Sequence, residues 1–137
     1  MISEIKFLKE LQEELNTQDN DSQAAPRFWV VMDYRTVPTG EGYNSGYEVY
    51  DSETIESYAD KTELINTLID REESFIVPNT MFLTKAECKK HIEKNAYHYT
   101  SKAHSYAMTA WRSPKVDRLL NILSTMHWDY ILELEKQ

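Results

Sequence analysis

The chain has 137 residues, with 23 acidic against 15 basic side chains and a formal net charge of −8. Its hydrophobic fraction of 41% supplies one core, because a chain of this size buries roughly two-thirds of its unfolded surface. This excludes a chain that is disordered over most of its length. No apolar run approaches the roughly 20 residues of a membrane span, and residues 1–4 do not open a signal peptide, so we expect a cytoplasmic protein with no membrane partner.

Charge is distributed unevenly along the chain. Residues 1–60 carry 4 basic and 13 acidic side chains, a net charge of −9, whereas residues 85–118 carry 8 basic and 3 acidic, a net charge of +5. Such asymmetry affects the choice of partner and electrostatic steering rather than the fold. It therefore indicates an interaction surface.

The N-terminal residues predict a helix followed by a linker. Within residues 3–15, apolar positions recur at three- and four-residue steps, which is typical of an amphipathic helix: Ile5, Leu8, Leu11 or Gln12, and Leu15. Residues 16–26 contain no large apolar side chain and end at a proline, as linkers do. We therefore divide the chain into a helix with its linker, 1–26, and a single domain, 27–137. The narrow apolar stripe of this helix must pack against another surface. That surface is either the domain of the same chain or a second copy, in a homodimer through residues 1–15.

The remaining pattern predicts an α+β domain. Strands are expected at 28–34 and 47–50, joined by a loop that holds all three glycines, and a helix is expected from Asp60 to about Arg71. Further elements follow: short strands at 75–77 and 81–83, a helix with a Thr84 capping box to about Asn95, a strand over 104–111, and a helix from Ser113 to the end. The expected fold is a small, largely antiparallel sheet covered by helices.

Basic and aromatic side chains are interleaved within the basic segment, residues 85–118. This composition is typical of single-stranded nucleic-acid sites, where cations neutralise phosphates and flat rings stack on bases. One alternative is a protein-binding surface, because Tyr, Trp and Arg anchor interfaces. The other is a structural role, with Tyr106 and Trp111 in the core, Tyr97 and Tyr99 packed at a helix–strand corner, and the lysines on a solvated helix face. The nucleic-acid-binding candidates are Lys89, Lys90, Lys94, Tyr97, His98, Tyr99, Lys102 and Arg112.

Catalytic and metal-binding patterns are weak. Cys88, His91, His98 and His104 can be drawn as four zinc ligands, but their spacing matches no standard zinc module. Cys88 is the only cysteine, which excludes an internal disulfide, and we interpret it as a small apolar core residue rather than a nucleophile. We predict no catalytic residue, no metal and no cofactor, and hence a protein that is not an enzyme.

Acidic and tyrosine residues alternate in a second candidate surface between residues 41 and 60. Such a face can enter a basic nucleic-acid channel on another protein, matching its potential and inserting aromatic rings. The alternative is an ordinary solvated surface. The partner-binding candidates are Glu41, Tyr43, Tyr47, Glu48, Tyr50, Asp51 and Glu53.

Three stretches of the chain resemble short accessory proteins encoded by phages and prophages, most of them of unknown function: Phe82-Leu-Thr84, Asn95-Ala-Tyr-His-Tyr99 and Ala110-Trp-Arg-Ser-Pro114. The resemblance covers roughly the last 60 residues together with the strand at 28–31. It implies a phage product in the host bacterial cytoplasm, and small acidic proteins of this kind include anti-CRISPR proteins. We therefore expect a non-enzymatic inhibitor that contacts a bacterial defence protein or nuclease complex. A nucleic-acid-binding accessory protein is the alternative.

Overall fold

The computed structural model describes residues 1–38 and 70–137. These ranges contain four helices and three strands, and none of the helices is both long and apolar enough to cross a membrane. The expected α+β class is confirmed. The elements are α1 (Ile2–Thr17), β1 (Arg27–Pro38), β2 (Asp70–Ile76), α2 (Lys85–Lys94), β3 (His104–Thr109), α3 (Pro114–Thr125) and α4 (Trp128–Lys136), with a turn of 3-10 helix at Ala96–His98 after α2.

The sheet has the order β2-β1-β3, and its central strand is the most apolar part of the chain. β1 runs antiparallel to β3 with Trp29 opposite Ala107. β-branched and aromatic residues fit a strand that is buried on both sides, and Trp29, Val30 and Val31 are accordingly all buried. Trp29, Val31 and Ala107 form one core cluster with Cys88 of α2.

A second core cluster lies between α1 and the two C-terminal helices. Ile5 and Leu11 of α1 pack with Leu123 of α3 and with Trp128 and Leu132 of α4. The apolar stripe of the predicted N-terminal helix is therefore covered within this chain. The homodimer through residues 1–15 stays a prediction, but the unpartnered stripe that motivated it does not exist.

The chain divides into two compact units, residues 1–33 with 76–137 and residues 34–75. The structure describes residues 34–38 and 70–75 of the second unit, in which Arg35 forms an ion pair with Glu73. The boundary expected after residue 26 stays a prediction.

The C-terminal region is not the single helix that the leucine-rich pattern predicts. α3 starts at Pro114 as expected, but Met126 is extended, with ψ of 145°, and a separate helix begins at Trp128. The Trp128 indole Nε1 donates a hydrogen bond to the Leu123 carbonyl, 3.2 Å away. The break therefore places the Trp128 ring in the helical core, an effect that apolar spacing alone does not show.

Two smaller predictions also differ from the structure. The helix expected to end near Arg71 lies mostly outside the described residues, but its last two positions belong to β2. Charged residues are common in edge strands, where they disfavour pairing with other chains, so this charged run fits the edge of the sheet. The strand expected at 81–83 is reduced to one bridge between Phe82 and Trp29. The strand at 47–50 and the glycine loop after residue 38 lie outside the described residues.

The two tryptophans of the sheet region provide a matched test of this core. Trp29 has 0% of its surface exposed, whereas Trp111 has 76%. We expect Trp29→Ala to lower the free energy of unfolding by about 3–5 kcal/mol because it opens a large cavity. Trp111→Ala should change it by no more than about 0.5 kcal/mol. Denaturant titration of both variants measures the difference, and equal losses would contradict the core described here.

Candidate interaction surface

α2 presents a core face and a basic face. Thr84 is buried, and its hydroxyl oxygen accepts a hydrogen bond from the Glu87 backbone N–H, so the predicted cap is confirmed. Cys88 is fully buried, and its Sγ lies 3.4 Å from the Val30 carbonyl to which it donates. The expected core role of Cys88 is thus confirmed. Lys89, Lys90 and Lys94 are exposed on the outer face of the helix.

Two sets of hydrogen bonds hold the chain that leaves α2. Buried Asp33 of β1 accepts from both the backbone N–H and the hydroxyl of Thr100. His91 Nε2 lies 2.7 Å from the Tyr99 hydroxyl, and the Asn95 side chain donates to the His91 carbonyl. Satisfied buried polar groups of this kind specify a single conformation. These hydrogen bonds fix the segment from residue 95 to residue 100 at both ends.

The fixed segment exposes an aromatic pair. Tyr97 has 80% of its surface exposed, and its ring centroid lies 4.2 Å from that of His98. Lys90 and Lys94 lie one turn apart in the second half of α2, and the aromatic pair follows in the 3-10 turn directly after the Asn95 cap. We call these four residues the basic aromatic end of α2. The Lys94 charge also offsets the partial negative charge of the helix C-terminus.

Tyr99 and Lys102 occupy different environments from Tyr97. Tyr99 is half-buried and packs against the core cluster around Trp29, and burial raises the pKa of its hydroxyl above the ordinary value. Lys102 is exposed in the turn before β3. The corner packing expected for the tyrosines therefore holds for Tyr99 and is wrong for Tyr97.

An exposed cation–π pair lies at the other end of β3, in the tryptophan turn, residues 110–113. The Ala110 N–H donates to the Pro26 carbonyl over 2.8 Å, and the Ser113 N–H closes the turn on the Ala110 carbonyl. The Arg112 guanidinium lies 4.4 Å from the Trp111 ring centroid. The core role considered for Trp111 and Tyr106 is wrong, since both side chains are exposed. The strand ends at Thr109 and the chain turns outward before Trp111 is reached.

The backbone of the tryptophan turn is strained. Arg112 has φ of 53°, in the left-handed region that favours glycine. A non-glycine residue held there costs on the order of 1 kcal/mol or more, and such residues cluster at functional sites. Arginine at this position therefore points to a use for its side chain.

A groove begins beside the tryptophan turn. Ala25, Pro26 and Asp117 line both a shallow depression next to Arg112 and an adjoining cavity of about 200 Å³ along α3. The tryptophan turn thus borders a concave surface through Arg112 and Ser113, and it also carries the exposed Trp111 ring.

The eight nucleic-acid-binding candidates do not form one surface. Three lie in α2 and four between α2 and the start of β3, whereas Arg112 follows the end of that strand. A six-residue strand is about 20 Å long, which separates Arg112 from Lys102 by roughly that distance. Trp111 is not among these eight candidates, although a Trp-Arg pair directly before a Ser-Pro helix start signals a turn in which the ring leaves the strand.

Two further candidate sites are the acidic partner-binding residues and the possible zinc ligands. The partner-binding candidates from Glu41 to Glu53 lie outside the described residues. In residues 1–38 and 70–137, no three His, Cys, Asp or Glu side chains come together that could hold a metal ion. Cys88 and His91 point to different partners, the Val30 carbonyl and Tyr99.

The buried thiol gives a pH-dependent prediction. Burial, with a smaller effect of the Glu87 carboxylate, raises the pKa of Cys88 to about 11. The reactive thiolate is therefore scarce at pH 8, and a thiol reagent should modify native protein at least about 100-fold more slowly than unfolded protein. The native rate should rise as the pH approaches 11. Rapid, stoichiometric modification of native protein at pH 8 would contradict this burial.

No protein-family model, curated protein or solved structure matches the chain. The resemblance to phage accessory proteins therefore stays a prediction.

Proposed function

We propose that the protein is a non-enzymatic, phage-type accessory protein that binds a bacterial nucleic-acid-targeting defence complex and inhibits it by protein contact, as anti-CRISPR proteins do. The observation that supports protein contact is the tryptophan turn, where a tryptophan exposed by 76% is stacked with an arginine. Tryptophan and arginine are the residue types that contribute most to binding when they become buried in an interface. The class of partner comes from the resemblance, and the place of action would be the host cytoplasm.

The construction of the turn favours an anchor over a loosely held surface residue. Hydrogen bonds to Pro26 and within the turn fix the backbone, and the stacked guanidinium restricts the ring. An anchor that is already ordered loses little conformational entropy on binding. The groove beside Arg112 can accept a side chain of the partner.

Substitution of Trp111 tests this function directly. Tagged wild-type protein, Trp111→Ala and the control Phe7→Ala, which removes an exposed ring from α1, are used to capture complexes from the lysate of a bacterium with an active defence system. We expect wild type and control to recover the same nuclease complex. Trp111→Ala should bind it at least about 30-fold more weakly, because loss of an anchor typically costs 2 kcal/mol or more.

Two controls make this outcome decisive. Arg112→Gly removes the guanidinium but relieves the positive φ, so binding should weaken while the melting temperature does not fall. The captures are repeated at about 50 mM and about 500 mM salt, since screening weakens contacts between exposed charges. Recovery of no nuclease or defence component at either salt would contradict the proposal.

The basic aromatic end of α2 favours a second candidate function, binding of single-stranded nucleic acid. Tyr97 offers an exposed ring for base stacking, and the exposed Lys90 and Lys94 precede it in the second half of α2 and supply positive charge for phosphates. The net charge of −8 opposes non-specific phosphate binding by the whole molecule, so this candidate ranks second.

A fluorescence-anisotropy titration with single-stranded DNA and RNA tests the second function. Lys94→Gln should weaken binding and reduce the slope of log K against log salt by about 1, because one phosphate contact is lost. Lys6→Gln, an exposed lysine of α1, is the matched control and should leave the slope unchanged. Affinity no tighter than about 100 μM for wild type at low salt would exclude this function.

A further inference from the structure

The chain between α1 and β1 is bonded to the rest of the domain, although its composition predicts a linker. We call residues 18–26 the strap. At its start, the Gln18 side chain accepts a hydrogen bond from the Lys85 backbone N–H over 2.9 Å. The Lys85 ammonium lies 2.6 Å from the Asp21 carboxylate, and the Lys85 side chain is 16% exposed. The first half of the strap is therefore held by the first residue of α2.

A tight turn follows in the middle of the strap. Asp21 and Ser22 have φ of 52° and 60°, and the Gln23 N–H donates to the Asn20 carbonyl over 3.0 Å. A two-residue turn with positive φ at both central positions most often contains Asn-Gly, because few other residues adopt this backbone readily. Non-glycine residues persist in it where the surrounding structure holds them. The ion pair between Asp21 and Lys85 is such a constraint.

Gln23 joins the strap to the end of β3. Its side-chain Nε2 donates to the Thr109 hydroxyl over 2.7 Å, and that hydroxyl donates in turn to the Ala24 carbonyl, also over 2.7 Å. The Gln23 carbonyl accepts a hydrogen bond from Arg27 Nη1 over 2.6 Å. The backbone N–H, the carbonyl and the side-chain amide of Gln23 are thus all bonded. Such a network of hydrogen bonds restricts the conformation of its members.

The strap ends where the tryptophan turn begins. Thr109 is the last residue of β3, and the next N–H, that of Ala110, donates to the carbonyl of Pro26. The strap therefore holds two consecutive residues directly before Trp111. The left-handed backbone of Arg112 in the same turn also needs such support. We infer that the strap orders the tryptophan turn for partner binding, with Gln23 as its positioning residue.

The effect on binding rests on the proposed function, whereas the ordering of the turn does not. An ordered anchor loses little conformational entropy on binding, so a loosened turn binds more weakly although every contacting side chain is still present. The strap also supplies Ala25 and Pro26 to the groove beside Arg112. Gln23 does not line that groove and acts through the residues that it holds.

Amide hydrogen exchange of the free protein tests the ordering. Gln23→Ala should speed exchange of the Ala110 N–H about tenfold, while the Trp29 N–H, bonded to the Phe82 carbonyl within the sheet, keeps its rate. Gln12→Ala is the matched control, because its side chain also bonds distant backbone carbonyls, and it should leave the Ala110 rate unchanged. An unchanged Ala110 rate in Gln23→Ala would overturn the inference. Equal acceleration at Trp29 would overturn it as well, because the effect would then be a general loss of stability.

A double-mutant cycle tests the consequence for binding, with the captured nuclease complex as the partner. Gln23→Ala should weaken binding about fivefold, because the anchor is less ordered. The double variant Trp111→Ala, Gln23→Ala should bind no more weakly than Trp111→Ala alone, since Gln23 acts through the tryptophan turn. Additive losses would overturn the positioning role. Capture of no complex by wild type would instead contradict the proposed function, and the exchange rates would still decide whether the strap orders the turn.

Discussion

The burial of Trp29 is the constraint on which the described structure depends. Its ring lies at the centre of the sheet, packed with Val31, with Ala107 of β3 and with Cys88 of α2. A large ring in a close-packed core tolerates little displacement, so it holds β3 with Ala107 opposite Trp29. A shift of one residue would turn every side chain of β3 to the other face of the sheet.

The position of both candidate surfaces follows from this register. β3 is short, and hydrogen bonds hold the chain on both sides of it. Asp33 binds the segment before the strand, and the Pro26 carbonyl binds the tryptophan turn after it. The core therefore positions two exposed side-chain pairs that take no part in it, Tyr97 with His98 and Trp111 with Arg112. Substitutions in either pair can change binding without changing the fold.

Local patterns predicted the elements whose signals are local. The recurring apolar residues of α1, the aromatic and β-branched run of β1, and the Thr84 cap each lie within a few residues, and each element was placed correctly. Features that depend on contacts with residues far away in the sequence could not be predicted from local patterns. Met126 leaves the helix where Trp128 enters the core, and that break depends on packing against α1, more than 100 residues away.

Exposure of aromatic residues is a similar case. Trp29 and Trp111 both occur beside β-branched or small apolar residues, and composition does not distinguish a buried ring from an exposed one. The difference lies in where the strand stops, because Thr109 is the last paired residue and its hydroxyl donates to the Ala24 carbonyl. Likewise, the net charge of +5 over residues 85–118 predicted one basic surface, but β3 divides that segment between two ends.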